Sequence, residues 1–250
     1  MTADDLLAAL EIPAEARVGQ RVPKKLLLEN GAPTAADKRQ ISDGIDELQW
    51  VAALKPSTVG VPVFKDDVRE YLEIAVLGLT LREQAKARRL VELIHRAIPY
   101  PVLLVRTQSG AVAASLAHLR WSQGEAGRMV LDGTIVEVAL TAGHPANAPF
   151  AASLRLAAQP GSDLLALYQR WVEMFEARAA AGLSGVFRPA GDAAAAARRR
   201  QALADHAMLG DEIASLRAQA AKEKQMNRLV ETNLRLRQLE ARLASAQASL

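Results

Sequence analysis

The chain has 250 residues, half of them apolar and 24% charged, with 31 Lys and Arg against 28 Asp and Glu. This is a globular profile, sized for one ordinary domain plus an extension or for two small domains, and it excludes a disordered chain. There is no cysteine, which excludes a disulfide scaffold, thiolate metal sites and a thiol nucleophile.

Charge is unevenly spread. From Arg198 to Leu250 there are ten basic and six acidic side chains, and the remaining 197 residues carry 21 basic and 22 acidic ones. Basicity belongs to the tail, rooted at Arg198-Arg199-Arg200. The start Met1-Thr2-Ala3-Asp4-Asp5 is acidic where a secretory leader is basic, and no apolar run reaches the length of a membrane span. A cytoplasmic protein without membrane contact is expected.

In chain order, Thr2 and Asp5 form a capping pattern before a short helix through Leu10. Pro13 and Gly19 mark a loop. Arg21 to Gly31 reads as a proline-started helical turn closed by glycine. Thr34 and Asp37 cap a helix on which Ile41, Ile45 and Leu48 share a face. Its expected end is near Leu54, because Pro56 forces Lys55 out of the helical region. Tyr71 to Leu81, rich in Ile, Val and Leu, has the look of a strand buried on both faces. An amphipathic helix follows from Arg82 to Ala97. Val102 to Arg106 and Ala111 to Leu119, joined at Ser109-Gly110, form a hairpin. Met129 to Leu131 and Thr134 to Leu140, joined by Asp132-Gly133, read as a second one.

Residues Thr141 to Gly161 read as a long connection. Ser162 opens a helix to about Ala181, and Gly182, Gly185 and Pro189 interrupt the chain before Asp192 caps the last helix. The order predicts an α+β fold, a mostly antiparallel sheet with helices on one face, plus a long C-terminal coiled-coil-like extension. The expected division is a globular domain over 1–181, a linker over 182–191 and a helical assembly element over 192–250.

That element carries two heptad seams. Ala202, His206, Leu209, Ile213, Leu216 and Ala220 step by four and three, as do Leu229, Thr232, Leu236, Leu239, Leu243, Ala246 and Leu250. Leu229 falls two residues beyond the first seam's continuation at Asn227, which turns the second seam about 200° round the helix. Either the helix breaks near Lys222 to Arg228, or its halves pack on different neighbours. The seams suit a hairpin on the chain's own body, or a second copy or another protein.

The four histidines have no metal-type spacing. Residues 124–129 lack the lysine and hydroxyl of a phosphate loop, and no serine sits in a nucleophile elbow. Asp66, Asp67, Glu70 and Glu73 could gather round magnesium, with Asp67 and Glu73 the candidate ligands, but no lysine follows until Lys86. Arg120-Trp121 beside His118 could stack a nucleobase. No cofactor is expected.

Three blocks resemble a family of bacterial proteins of unknown function. The first runs from Arg21-Val22-Pro23-Lys24-Lys25 through Glu29-Asn30, Asp37-Lys38 and Trp50 to Leu54-Lys55-Pro56. The second is Ile94 to Val105, centred on Ala97-Ile98-Pro99-Tyr100-Pro101. The third is Glu223 to Arg228, with Val230-Glu231, Asn233 and the final leucine seam. That family is usually encoded beside a helicase and a DNA methyltransferase in restriction-like phage-defence clusters. The resemblance carries no catalytic residues.

It implies a non-catalytic accessory subunit that docks onto the helicase or methyltransferase. The expected contact residues are Lys224, Asn227, Arg228, Leu229, Asn233, Leu236, Leu239 and Leu243. A nucleic-acid-binding subunit using Arg198, Arg199 and Arg200, or a nuclease built on the acidic group, are the alternatives.

Overall fold

Capping chemistry sets the first elements. In the computed structural model, which describes residues 1–125, 127–248 and 250, α1 (Ala3–Ala9) opens with a capping box. The Asp5 amide donates to Thr2 Oγ1 at 3.1 Å and the Thr2 amide to Asp5 at 2.8 Å. An unexpected strand, β1 (Arg17–Arg21), follows where a loop is read from Pro13 and Gly19. Next come α2 (Lys24–Asn30), bounded by Pro23 and Gly31, and α3 (Ala35–Gly44), capped by Thr34 accepting from the Asp37 amide.

The helix expected to reach Leu54 stops at Gly44, and β2 (Ile45–Leu54) takes over. The misleading cue was the three-residue step from Ile45 to Leu48, which matches a helical face. Here a bulge between Ile45 and Glu47 shifts the strand alternation by one, so a strand acquires helical spacing. Beyond it lie the short α4 (Pro56–Val59) and a two-strand sheet of β3 (Phe64–Lys65) and β4 (Glu70–Tyr71). The single strand read over Tyr71 to Leu81 is therefore two elements, β4 and β5 (Ile74–Leu81). The next helix, α5 (Ala87–Ala97), starts later than Arg82, because Arg82 to Lys86 form its lead-in turn.

Then come β6 (Val102–Gln108), β7 (Ala111–Trp121) and β8 (Met129–Ala139). The expected second hairpin does not exist: β8 runs unbroken through Asp132-Gly133 against β7. Gly133 does take the left-handed conformation (φ 86°) that an Asp-Gly turn demands. It is used in the stretch where the β7–β8 register shifts between Leu116 and His118, and Asp132 is held across the sheet by Arg69. The main sheet has the order β1-β2-β5-β6-β7-β8, and only β5 and β6 are parallel, joined by the α5 crossover. The fold is α+β with a mostly antiparallel sheet.

Helices cover both faces of the sheet, not one. Ala75, Leu77, Leu79 and Leu81 of β5 join a core with Leu27, Ile41, Leu90 and Ile94 from α2, α3 and α5. The alternate residues Ile74 and Val76 are fully buried as well, and α1 lies against β6. Apart from the exposed Thr80 near its end, β5 has no polar side chain on either face, and such a strand needs cover on both.

Gly31 shows how closely α2 and α5 approach. A Cβ there would lie 2.6 Å from the Ala97 Cβ and 3.0 Å from the Leu93 carbonyl oxygen, neither of which can swing away. Gly31→Val is expected to lower the melting temperature by about 5 °C, the effect of roughly 2 kcal/mol of overpacking in a chain of this size. An unchanged thermal melt would show that the two helices are not so tightly seated.

The connection after Leu140 contains α6 (Asn147–Ser153) and a 3-10 turn at Leu156–Ala158. The next helix, α7 (Leu164–Ser184), is capped by Asp163 and not Ser162, the Ala166 amide donating to Asp163 Oδ1 at 2.8 Å. It continues through Gly182. Finally α8 (Ala193–Ala220) begins at Asp192, whose side chain accepts from the Ala195 amide, and α9 (Met226–Ala248) ends the chain. Two compact units result, Met1–Phe175 and Glu176–Leu250.

Candidate functional site

The second unit explains why two seams face opposite ways. The helix breaks at 221–225 and returns, so α8 and α9 form an antiparallel hairpin with both seams turned inward. Leu209 and Ile213 meet Leu236 and Leu239, all four at most 8% exposed, with Leu216, Leu243 and Ala246 packed beside them. Arg217 pairs with Glu240 and Arg235 with Glu212, each at 2.7 Å, tying the helices together along their flanks. At the base, Gln247 Nε2 donates to the Leu183 carbonyl at 2.7 Å.

The break is chemically specified. The Lys222 and Glu223 amides close the end of α8 on the carbonyls of Gln219 and Ala220. The Glu223 carboxylate then accepts from the Lys224 and Gln225 amides, both at 2.8 Å, which fixes the turn leading into α9 and holds that carboxyl below its usual range. Glu223 to Arg228, the third block, is thus the hairpin tip.

The expected contact residues separate into two groups. Leu236 and Leu239 are buried, Leu243 packs against them, and Leu229 is half-buried at the start of the same row. These leucines hold the hairpin together. Lys224, Asn227, Arg228 and Asn233 are exposed, and among the described residues their side chains have no hydrogen-bond partner. Met226 and Val230 beside them are 72% and 52% exposed.

Of the candidate phosphate ligands, Arg199 donates to the Arg188 carbonyl at 2.6 Å, and burial lowers its pKa. Arg200 reaches the buried Glu176 at 2.6 Å. Only Arg198 of the three is left pointing at solvent without such a tie among the described residues.

In the first unit the acidic group disperses. Asp66 caps its own turn on the Val68 and Arg69 amides, Glu70 pairs with Lys65, and the buried Glu73 meets Lys55 at 2.9 Å. Asp67 stays exposed. Among the described residues no group of three His, Asp or Glu could hold a metal ion. The first two blocks meet in packing: Trp50 and Tyr100 stack edge-on with centroids 6.5 Å apart, and Lys55 and Glu73 anchor the end of β2. Asp37 accepts both Arg89 Nε at 2.8 Å and Arg89 Nη2 at 2.9 Å, which with Thr34 holds its carboxyl down at about 2 and binds α3 to α5.

The remaining polar contacts are internal too. Tyr71 Oη lies 2.6 Å from His118 Nδ1, and His95 Nε2 lies 2.9 Å from Ser115 Oγ. The Trp121 amide donates to the Val68 carbonyl at 2.8 Å, and Arg120 bonds the Trp121 carbonyl, so that pair sits against the turn after β3.

A family described as a domain of unknown function (DUF4391) matches residues 10–243. The chain belongs to the DUF4391 family. The DUF4391 match spans both units and includes the hairpin tip. No curated protein and no solved structure matches the chain. No helix among the described residues is long and apolar enough to cross a membrane.

Proposed function

We propose that this protein is a non-catalytic accessory subunit of a restriction-like phage-defence assembly, docking onto its helicase or DNA-methyltransferase partner through the tip of the α8–α9 hairpin. The family resemblance read from the sequence supplies the context. One observation carries the docking surface: Trp50, Lys55 and Tyr100 of the first two blocks are engaged in packing and an ion pair, whereas Lys224, Asn227 and Arg228 of the third stand exposed together at the hairpin tip with no side-chain hydrogen-bond partner among the described residues. Polar side chains held at the end of a braced arm are available to a partner without cost to the fold. Met226 adds apolar area beside them.

The test is co-purification of the full chain with the helicase and the methyltransferase encoded beside it in the native host. Asn227→Ala with Arg228→Ala is expected to weaken the complex about tenfold or more, with the melting temperature unchanged because both residues are exposed. Full recovery of the partner by this variant would refute tip docking. A second reading rests on the cationic tip, where Lys222, Lys224 and Arg228 outnumber the one acidic residue, Glu223. If it holds, the same variant loses duplex DNA affinity and its salt dependence flattens.

A further inference from the structure

Besides the row that seals the hairpin, α9 carries a second one. At about 100° per residue, Val230, Leu234, Ala241 and Ser245 fall opposite Leu229, Leu236, Leu239 and Leu243. The steps Val230, Leu234, Arg237, Ala241, Ala244 and Ala248 alternate four and three, as a helix-packing seam does. Every one of these residues is exposed, Val230 at 52% and Leu234 at 56%. An arm already braced by its own core has no need of this row.

The row fits itself when reversed. Its large residues lie in the first half of α9 and its small ones in the second. Antiparallel pairing about the point between Arg237 and Gln238 sets Leu234 against Ala241 of a second copy and Val230 against Ser245. The flanks agree: Glu231 of each copy comes beside Arg242 of the other, and neither takes part in the ion pairs that brace the hairpin. Parallel pairing would instead place Glu231 and Arg242 each on its own like charge, which is unfavourable, whereas Arg237 lies beside its own copy in either direction.

We propose that the outer face of α9 pairs antiparallel with the same face of a second copy of this chain, so that two hairpins make a four-helix arrangement. The pairing leaves each tip at an outer end of the seam. It stands independently of what the tip binds.

Light scattering on the full-length protein over a concentration series tests it. The wild type is expected to be a dimer at roughly tens of micromolar. Leu234→Glu should raise the dimer dissociation constant by about a hundredfold, since two buried leucines are lost per dimer, with the melting curve of the monomer unchanged. Glu231→Arg alone and Arg242→Glu alone should each weaken the dimer, and the two together should restore it. A wild type that stays monomeric, a dimer indifferent to Leu234→Glu, or a double reversal that fails to recover would each overturn the proposal.

Discussion

Leu236→Asp is expected to unfold the C-terminal hairpin while leaving the first unit intact. Leu236 is 8% exposed at the centre of the α8–α9 core. Losing its burial removes about 2 kcal/mol, and a carboxylate put in its place adds a desolvation cost of similar size or larger. A two-helix arm with one small core has little in reserve. The readouts separate cleanly, because Trp50, Trp121 and Trp171 all lie within Met1–Phe175. Helical circular dichroism should fall while tryptophan fluorescence and its melting transition stay as in the wild type. Helix content at the wild-type level would sink the prediction, and so would a parallel loss of both signals.

The second large effect is acid-dependent. His95 is 1% exposed on the inner face of α5, bonded to Ser115 of β7, and burial drives its pKa down to about 3. The unfolded chain takes up this proton near pH 6.5 and the folded chain does not, so the unfolded state binds more protons between those values. The contribution of the neutral histidine is therefore complete above about pH 6.5 and declines as pH falls toward 3. At about 1.4 kcal/mol per pH unit, the loss amounts to roughly 2 kcal/mol by pH 5 and to more than 4 kcal/mol at the bottom of the window. Denaturant titrations at pH 7, 6 and 5 measure it. His95→Gln, which keeps a group able to bond Ser115, should flatten the dependence across this range. An equal slope in that variant would assign the acid sensitivity to other groups.

Much of this architecture is legible in local chemistry. The caps at Thr2, Thr34 and Asp192, and the β6–β7 hairpin at Ser109-Gly110, depend on residues within a few positions of each other, and each forms where the sequence places it. The failures come from long-range pairing. Ile45 to Leu54 has helical spacing only because a bulge consumes one residue, and a bulge is decided by the neighbouring strand. Asp132-Gly133 carries the turn signal, but Arg69, 63 positions away, holds Asp132 in a continuous strand.

The tail was half legible. Two seams about 200° out of phase require either a break or two neighbours, and the Lys222 to Arg228 region was the right place for the break. That the leucines then face each other depends on the return direction, which periodicity alone does not encode. In the sequence, the exposed row at Val230 and Leu234 is masked by Leu229 and Leu236, which dominate the same stretch. Asn227, which continues the first seam's phase, lies on that same row.

The sheet ends in two open edges, and their composition limits how the protein can grow. Every residue of β1 is exposed, Arg17, Gln20 and Arg21 among them, and its register shifts around Gly19 at φ 65°. On the opposite edge, β8 has its own register shift and carries Asp132 and Glu137, both held in ion pairs. Charged, kinked edges are poor templates for another strand. A free chain is thereby protected from sheet-to-sheet polymerisation and does not seed fibrils.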